Sequence, residues 1–145
     1  MDLFKKTRNL YYLKKKKKLV GGFVMNHLSD AEWAVMEVLW ERNSCTLGEI
    51  SDVLADSMGW RQNTVYTYLT RMEKKGLVTI DKSCSPHRYS FTVSRETCAR
   101  EERSSLLHKV YKGSAGNLIT AFLKESRISE EERRKLRKLL DDMEV

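Results

Sequence analysis

The residues best suited to a chemical role lie in one stretch, residues 60–76. Val65, Tyr68, Leu69 and Met72 recur there at helical spacing, so one side of a helix is apolar. The opposite side is polar and contains no acid: Asn63, Thr67, Thr70 and Lys74, flanked by Thr64, Tyr66 and Arg71. Amide, hydroxyl and cationic side chains bind base edges and phosphates. We therefore predict a helix that contacts DNA.

Two shorter helices are predicted before this one. Ser29 and Glu32 have the spacing of a capping box, which starts a helix that continues to Arg42. Residues 43–45 are predicted to be a break, after which Thr46 and Glu49 start the second helix. The inward positions of the two helices are Trp33, Met36 and Trp40, then Leu47, Ile50, Val53 and Leu54.

A β-hairpin is predicted after the third helix. Gly76 ends that helix, residues 77–80 form a short strand, residues 81–86 a turn-rich loop, and residues 88–93 alternate as a second strand. Three helices followed by a hairpin indicate a winged helix-turn-helix domain over residues 26–93, with the third helix for the major groove. The expected fold class is mainly α with a small β-hairpin wing.

Residues 94–145 are predicted to be helical, with three apolar patches and no core of their own. A break at 112–116 and a capping box at Ser129 and Glu132 separate the helices. We expect the patches to pair with a second copy of the chain in a twofold dimer, and the alternative is that they fold back on the hairpin. The predicted dimer residues are Leu106, Val110, Tyr111, Leu118, Phe122, Leu136, Leu139 and Leu140.

The net charge of +7 comes from the N-terminal tail, residues 1–25. That tail has eight Lys/Arg and one acid, whereas the rest of the chain has 19 bases and 19 acids. DNA binding must therefore depend on the positions of individual charged residues and not on the net charge. A basic arm, disorder and a leader that is not normally translated are three explanations of the tail. We favour initiation at Met25. The codons of the two adjacent glycines a few positions earlier (GGN-GGN) resemble a ribosome-binding site that has been translated as protein.

Enzymes and metal proteins are poorly supported. Three widely spaced cysteines do not form a disulfide framework or a Cys-x-x-Cys site, and the three histidines are scattered. No apolar run is as long as a membrane span, and the chain lacks the apolar segment of a secretory signal. We predict a cytoplasmic, non-enzymatic protein without cofactors and without membrane insertion.

The chain resembles the penicillinase repressor (BlaI/MecI/CopY) family of transcriptional regulators. The motifs are residues 29–36, Trp60 with residues 63–67, Arg71 with residues 74–76, and residues 110–113 with Leu118. The resemblance covers residues 26–145 and leaves out the tail. It implies a dimeric bacterial repressor that binds an inverted-repeat operator in double-stranded DNA, residues 94–145 being the dimerisation domain.

The resemblance also implies roles for individual residues. Asn63, Thr64 and Thr67 would contact bases, while Arg61, Arg71 and Arg88 of the wing would contact phosphates. Asn63 stands where the beta-lactamase repressors often have Lys, and Tyr66 also departs from them. Asn63 can bond adenine in bidentate fashion, so we expect an A/T-containing half-site.

For regulation, the resemblance implies control of antibiotic resistance. In the beta-lactam branch a membrane sensor metallopeptidase cuts the second domain, and the matching bond is Ala121–Phe122, with Ala121 in place of the usual Asn. The copper-responsive branch has a C-terminal Cys-x-Cys pair that this chain lacks. The alternatives are a metal-responsive repressor of the same family and a winged helix that binds another protein.

Overall fold

The computed structural model describes residues 19–20, 23–24 and 27–144. In chain order the elements are β1 (Leu19–Val20), β2 (Phe23–Val24), α1 (Asp30–Arg42), β3 (Ser44–Thr46), α2 (Leu47–Met58), α3 (Gln62–Lys74), β4 (Val78–Asp81), β5 (Arg88–Phe91), α4 (Arg95–Tyr111), α5 (Ala115–Glu125) and α6 (Glu130–Asp142). β1 and β2 form an antiparallel pair. The predictions for the basic run at 14–18 and for Met25 lie outside the described residues.

Local sequence signals define the starts of three helices. The hydroxyls of Ser29, Thr46 and Ser129 each accept a hydrogen bond from the backbone N–H three residues later, at distances of 3.1, 3.2 and 3.1 Å. The carboxylates of Glu32, Glu49 and Glu132 accept the reciprocal bonds. The three predicted capping boxes are therefore confirmed, and each satisfies backbone donors that a helix leaves unpaired.

The wing is a three-stranded antiparallel sheet in the order β3-β5-β4. Tyr89 of β5 is paired with Cys45 on one side and with Ile80 on the other. The prediction of a simple break at 43–45 was incomplete, because only Asn43 leaves regular structure, at φ 68°, before β3 begins. A three-residue strand has no periodic signal of its own, and its stability comes from pairing with β5.

The winged helix fold is confirmed around one apolar core. α1, α2 and α3 pack on the sheet, and their fully buried side chains include Met36, Leu39, Ile50, Leu54 and Leu69. Val93 and Cys98 belong to the same core, although they follow the last strand. The first turns of α4 are therefore part of the winged domain.

The chain divides into two compact units between Ser104 and Ser105, within α4, whereas the sequence pattern predicts a boundary between residues 93 and 94. No described side chain of residues 105–144 is buried. Of the predicted dimer residues, Tyr111, Leu118 and Leu136 are half-buried, and the exposed ones are Leu106, Val110, Phe122, Leu139 and Leu140. Among the described helices none is long and apolar enough to cross a membrane.

Candidate DNA interface

The apolar side of α3 fixes this helix on the core. Val65, Leu69 and Met72 are completely buried, as their spacing predicts. Tyr68 is half-buried and stacks on Trp60, with ring centroids 5.0 Å apart and an interplanar angle of 22°. This stacking holds Trp60, in the segment before α3, against the second turn of that helix. The opposite side of the helix must therefore face solvent.

The outward side of α3 presents Asn63, Thr67 and Lys74, all of which are exposed. The Thr67 hydroxyl donates a 2.9 Å hydrogen bond to the Asn63 carbonyl oxygen. Its hydrogen is thereby used within the helix, and the side chain offers oxygen lone pairs and a methyl group outward. Thr70 donates in the same way to the Tyr66 carbonyl oxygen. The helix thus exposes acceptors, a methyl group and an amide, which are groups that read base edges.

Two arginines lie at the ends of this outward side. Arg61 occupies the N-cap position of α3, and its side chain makes no capping hydrogen bond. Arg71 is exposed in the last turn of the helix. Neither guanidinium has a hydrogen-bond or ion-pair partner among the described residues. Both cations are therefore available to a phosphate. Thr64, the remaining predicted base contact, is half-buried beside them.

Arg88 is held differently from the other predicted contacts. It lies in β5 and is half-buried, with Thr46 and Asp81 as its cross-strand partners. Its Nε donates a 3.0 Å hydrogen bond to the Ser44 hydroxyl, and its Nη2 donates a 2.8 Å bond to the Ser44 carbonyl oxygen. Arg88 therefore fastens β3 to β5. Its phosphate contact stays a prediction, and Arg88 lies on β5 and not on the outward side of α3.

Tyr66 is a further exposed residue of α3, and its position in the sequence predicts no role for it. Its side chain is 53% exposed and lies one helical turn from both Asn63 and Thr70. Burial, together with the nearby Tyr66 and Glu73, raises the pKa of Tyr89 in the wing. The helical spacing already places Tyr66 at the flank of the outward side of α3, and only a role for it is missing from the sequence prediction.

The loop between β4 and β5 is organised around Asp81. Its carboxylate accepts hydrogen bonds from the backbone N–H and the hydroxyl of Ser83 and from the Cys84 thiol. The Ser83 hydrogen bonds hold the pKa of Asp81 below its ordinary value. The Asp81 carboxylate is thus used in hydrogen bonds within its own loop. No cluster of potential metal ligands occurs among the described residues.

An ion pair fixes the C-terminal end of α3. The Lys75 ammonium lies 2.8 Å from Oε2 of Glu32, whose side chain is only 6% exposed. Burial alone would raise the pKa of Glu32, but hydrogen bonds from Lys75 and the Ser29 backbone and the charge of Lys75 hold that pKa below its ordinary value. Glu32 is also the capping residue of α1. One carboxylate therefore joins the start of α1 to the end of α3.

We expect Lys75→Met to lower the free energy of unfolding by about 1–3 kcal/mol at pH 7, because it removes a donor from a buried carboxylate. A lowered folded-state pKa gives stability that is present above the unfolded pKa and is lost as the pH falls through the folded one. The difference in the free energy of unfolding between the variant and the parent protein should therefore shrink below about pH 4. Urea unfolding across pH measures it, with the exposed neighbour Lys74→Met as control. An equal effect of both substitutions would show that the Glu32 pair is unimportant.

A sequence model described as the penicillinase repressor matches residues 28–142. The chain belongs to the penicillinase repressor family. The methicillin resistance regulatory protein MecI of Mammaliicoccus sciuri is 27% identical over 114 residues, which cover 79% of this chain and 93% of that protein. The penicillinase repressor of Bacillus licheniformis is 28% identical over 115 residues, covering 79% and 90%.

A solved structure of the DNA binding domain of the repressor BlaI is also similar. It is 31% identical, covers 47% of this chain and 83% of its own, and has a TM-score of 0.44. Penicillinase repressors are DNA-binding transcriptional regulators, so this chain is a transcriptional repressor and not an enzyme. The outward side of α3 is accordingly its candidate DNA-contacting surface.

Proposed function

We propose that this repressor acts as a homodimer on an inverted-repeat operator in double-stranded DNA, with α3 of each protomer in the major groove. The observation that carries the proposal is the outward side of α3. It combines the exposed Asn63 and Thr67 with the unpartnered Arg61 and Arg71. These groups suit bases at the centre of a groove and phosphates at its edges.

The chemistry of the helix favours particular bases. The Asn63 side-chain amide can form two hydrogen bonds with adenine, accepting one from N6 and donating one to N7. Thr67, whose hydroxyl hydrogen is used by the Asn63 carbonyl, can accept from an exocyclic amine or contact a thymine methyl group. Both preferences support an A/T-containing half-site. Thr64 would supply a further contact, while Arg61, Arg71 and Arg88 would bind the backbone.

Dimerisation is supported by the apolar surfaces of the second unit. Phe122 of α5 is 54% exposed, and Leu139 and Leu140 of α6 are 60% and 57% exposed. Leu106 and Val110 of α4 are also exposed. Apolar surface of this extent in one protomer is characteristic of an interface. A second copy is the partner we propose, because a twofold dimer presents two recognition helices to the two halves of an inverted repeat.

Derepression by proteolysis is the regulatory part of the proposal. The bond between Ala121 and Phe122 lies in α5, upstream of the apolar stripe of α6. Cleavage there would separate the winged domain from Leu136, Leu139 and Leu140. Loss of the second protomer would lower the affinity for the operator by roughly 10²–10⁴-fold, because the two recognition helices would no longer bind as a linked pair. The proposed protease is a membrane sensor metallopeptidase, and the proposed regulated trait is antibiotic resistance of the beta-lactam type.

A gel-shift titration on the promoter upstream of its own gene tests DNA recognition. At moderate salt, we expect a shift that an excess of unrelated duplex does not compete away. A scrambled promoter fragment of the same length is the matched control. Equal affinity for the promoter and the scrambled fragment would exclude an operator there.

Arg71→Ala should weaken binding to all duplexes and flatten the plot of log affinity against log salt by about one unit, because one phosphate contact is lost. Arg100→Ala, an exposed arginine on α4, should leave that slope unchanged. Salt-dependent fluorescence anisotropy measures both variants. A change of base preference without a change in slope would assign Arg71 to a base instead of a phosphate.

A further inference from the structure

Two tryptophans of α1 contact the segment where the sheet ends and α4 begins. The Trp40 indole N–H donates a 2.8 Å hydrogen bond to the Val93 carbonyl oxygen, across 53 residues of sequence. The Trp33 and Trp40 rings meet edge to face, with centroids 5.3 Å apart and an interplanar angle of 75°. Both rings are half-buried and lie against the margin of the core.

Glu37 and Arg95 complete this contact. The Glu37 carboxylate accepts a 2.9 Å hydrogen bond from the Trp33 indole and lies 3.1 Å from Nη2 of Arg95. The Arg95 guanidinium also lies over the Trp33 ring, 5.9 Å from its centroid. Arg95 is the first residue of α4. We call Trp33, Glu37, Trp40 and Arg95 the junction cluster.

The charged members of the junction cluster, Glu37 and Arg95, are not part of the core. The most buried positions of α1 are Val35, Met36 and Leu39, and the Glu37–Arg95 pair is about half exposed. Partly exposed ion pairs contribute roughly 0–1 kcal/mol. This ion pair therefore adds little to folding. Together with the Trp40 hydrogen bond to Val93 and the Trp33 ring face, it restrains the first turn of α4 in several directions at once.

The direction of α4 matters because this helix continues beyond the winged unit. It extends unbroken from Arg95 to Tyr111, and the second unit begins at Ser105. At 1.5 Å per residue its far end lies roughly 24 Å from its first residue. A change of about 10° at the start of α4 would move that end by about 4 Å, which exceeds the ~3.4 Å rise per base pair.

We propose that the junction cluster sets the separation of the two recognition helices, and thereby the half-site spacing that the repressor accepts. This inference rests on the proposed dimer and operator. Its four members are positioning residues, since they act through α4 and do not contact DNA. Because the direction of α4 is fixed before binding, each protomer loses less conformational entropy when the dimer binds an inverted repeat of the matching spacing.

Arg95→Met tests the proposal, because it keeps the length of the side chain but removes the ion pair and the donors to Glu37. The full chain is titrated with a single half-site and with inverted repeats whose centre is lengthened or shortened by one and two base pairs. We expect the preference of the parent protein for its best spacing to fall at least threefold. Affinity for the single half-site and the dimer mass in sedimentation should not change.

Matched variants separate positioning from stability. Glu37→Gln, which removes the charge but keeps an oxygen for Trp33, should reduce the spacing preference in the same way, and Arg95→Lys should restore part of it. Arg103→Ala breaks an exposed pair with Glu96 that lies within α4 alone, so it should have no effect. An unchanged spacing preference in both Arg95→Met and Glu37→Gln would overturn the proposal, as would an equal loss at every spacing. A parent protein that binds two half-sites no better than one would instead refute the proposed dimeric function.

Discussion

Leu139→Asp is expected to convert the dimer into monomers and to lower operator affinity by roughly 10²–10⁴-fold. Leu139 is 60% exposed on α6 and adjoins Leu140, so a second copy that covers this stripe would bury both. A carboxylate placed in such an interface would be desolvated without a partner. Sedimentation velocity measures the mass, and titration with an inverted repeat measures the affinity.

Lys138→Asp is the matched control for that experiment. Lys138 is the neighbouring exposed residue of the same helix, off the apolar stripe, and its replacement introduces the same carboxylate. The control should stay dimeric, and circular dichroism should show equal helix content in both variants. If Leu139→Asp sedimented as a dimer with unchanged DNA affinity, the interface would have to lie elsewhere than on α6.

Asn63→Ala is expected to abolish the preference for one base pair in each half-site, at about 1–3 kcal/mol of discrimination. The amide is exposed on the outward side of α3, where it can bond the edge of adenine. The loss should be confined to the half-site position that Asn63 reads. Other positions should keep their preferences, because Thr64 and Thr67 are unchanged.

Lys74→Ala provides the contrast for this variant. Lys74 shares the outward side of α3, and its ammonium group can neutralise a phosphate, so its loss should weaken all sequences alike. Binding to a panel of half-sites, each with one base pair replaced, distinguishes the two patterns. A uniform loss across the panel for Asn63→Ala would contradict base recognition by this residue.

The helices were predictable because their signals are local. The capping residues Ser29, Thr46 and Ser129 and the apolar spacing in α3 are visible within a few positions of sequence. Since the same interactions satisfy the backbone and bury the apolar side, the predicted helices agree with the structure. The outward residues of α3 followed directly from that periodicity.

The contacts between distant segments were not predictable. β3 depends on β5, which is more than forty residues away, and the Arg88 bonds to Ser44 span 44 positions. Glu32 looks like a helix cap in the sequence, and only the fold brings Lys75 to it across 43 positions. Long-range pairing of this kind is determined by tertiary packing, which the local pattern does not encode.

We propose that two copies of α3 read the two halves of one operator. Hydroxyl-radical footprinting of the parent protein on its promoter tests this claim most directly. We predict two protected segments of related sequence in opposite orientations, with their centres about one helical turn, roughly 34 Å, or a multiple of it apart. A single protected segment without an inverted partner would contradict the account.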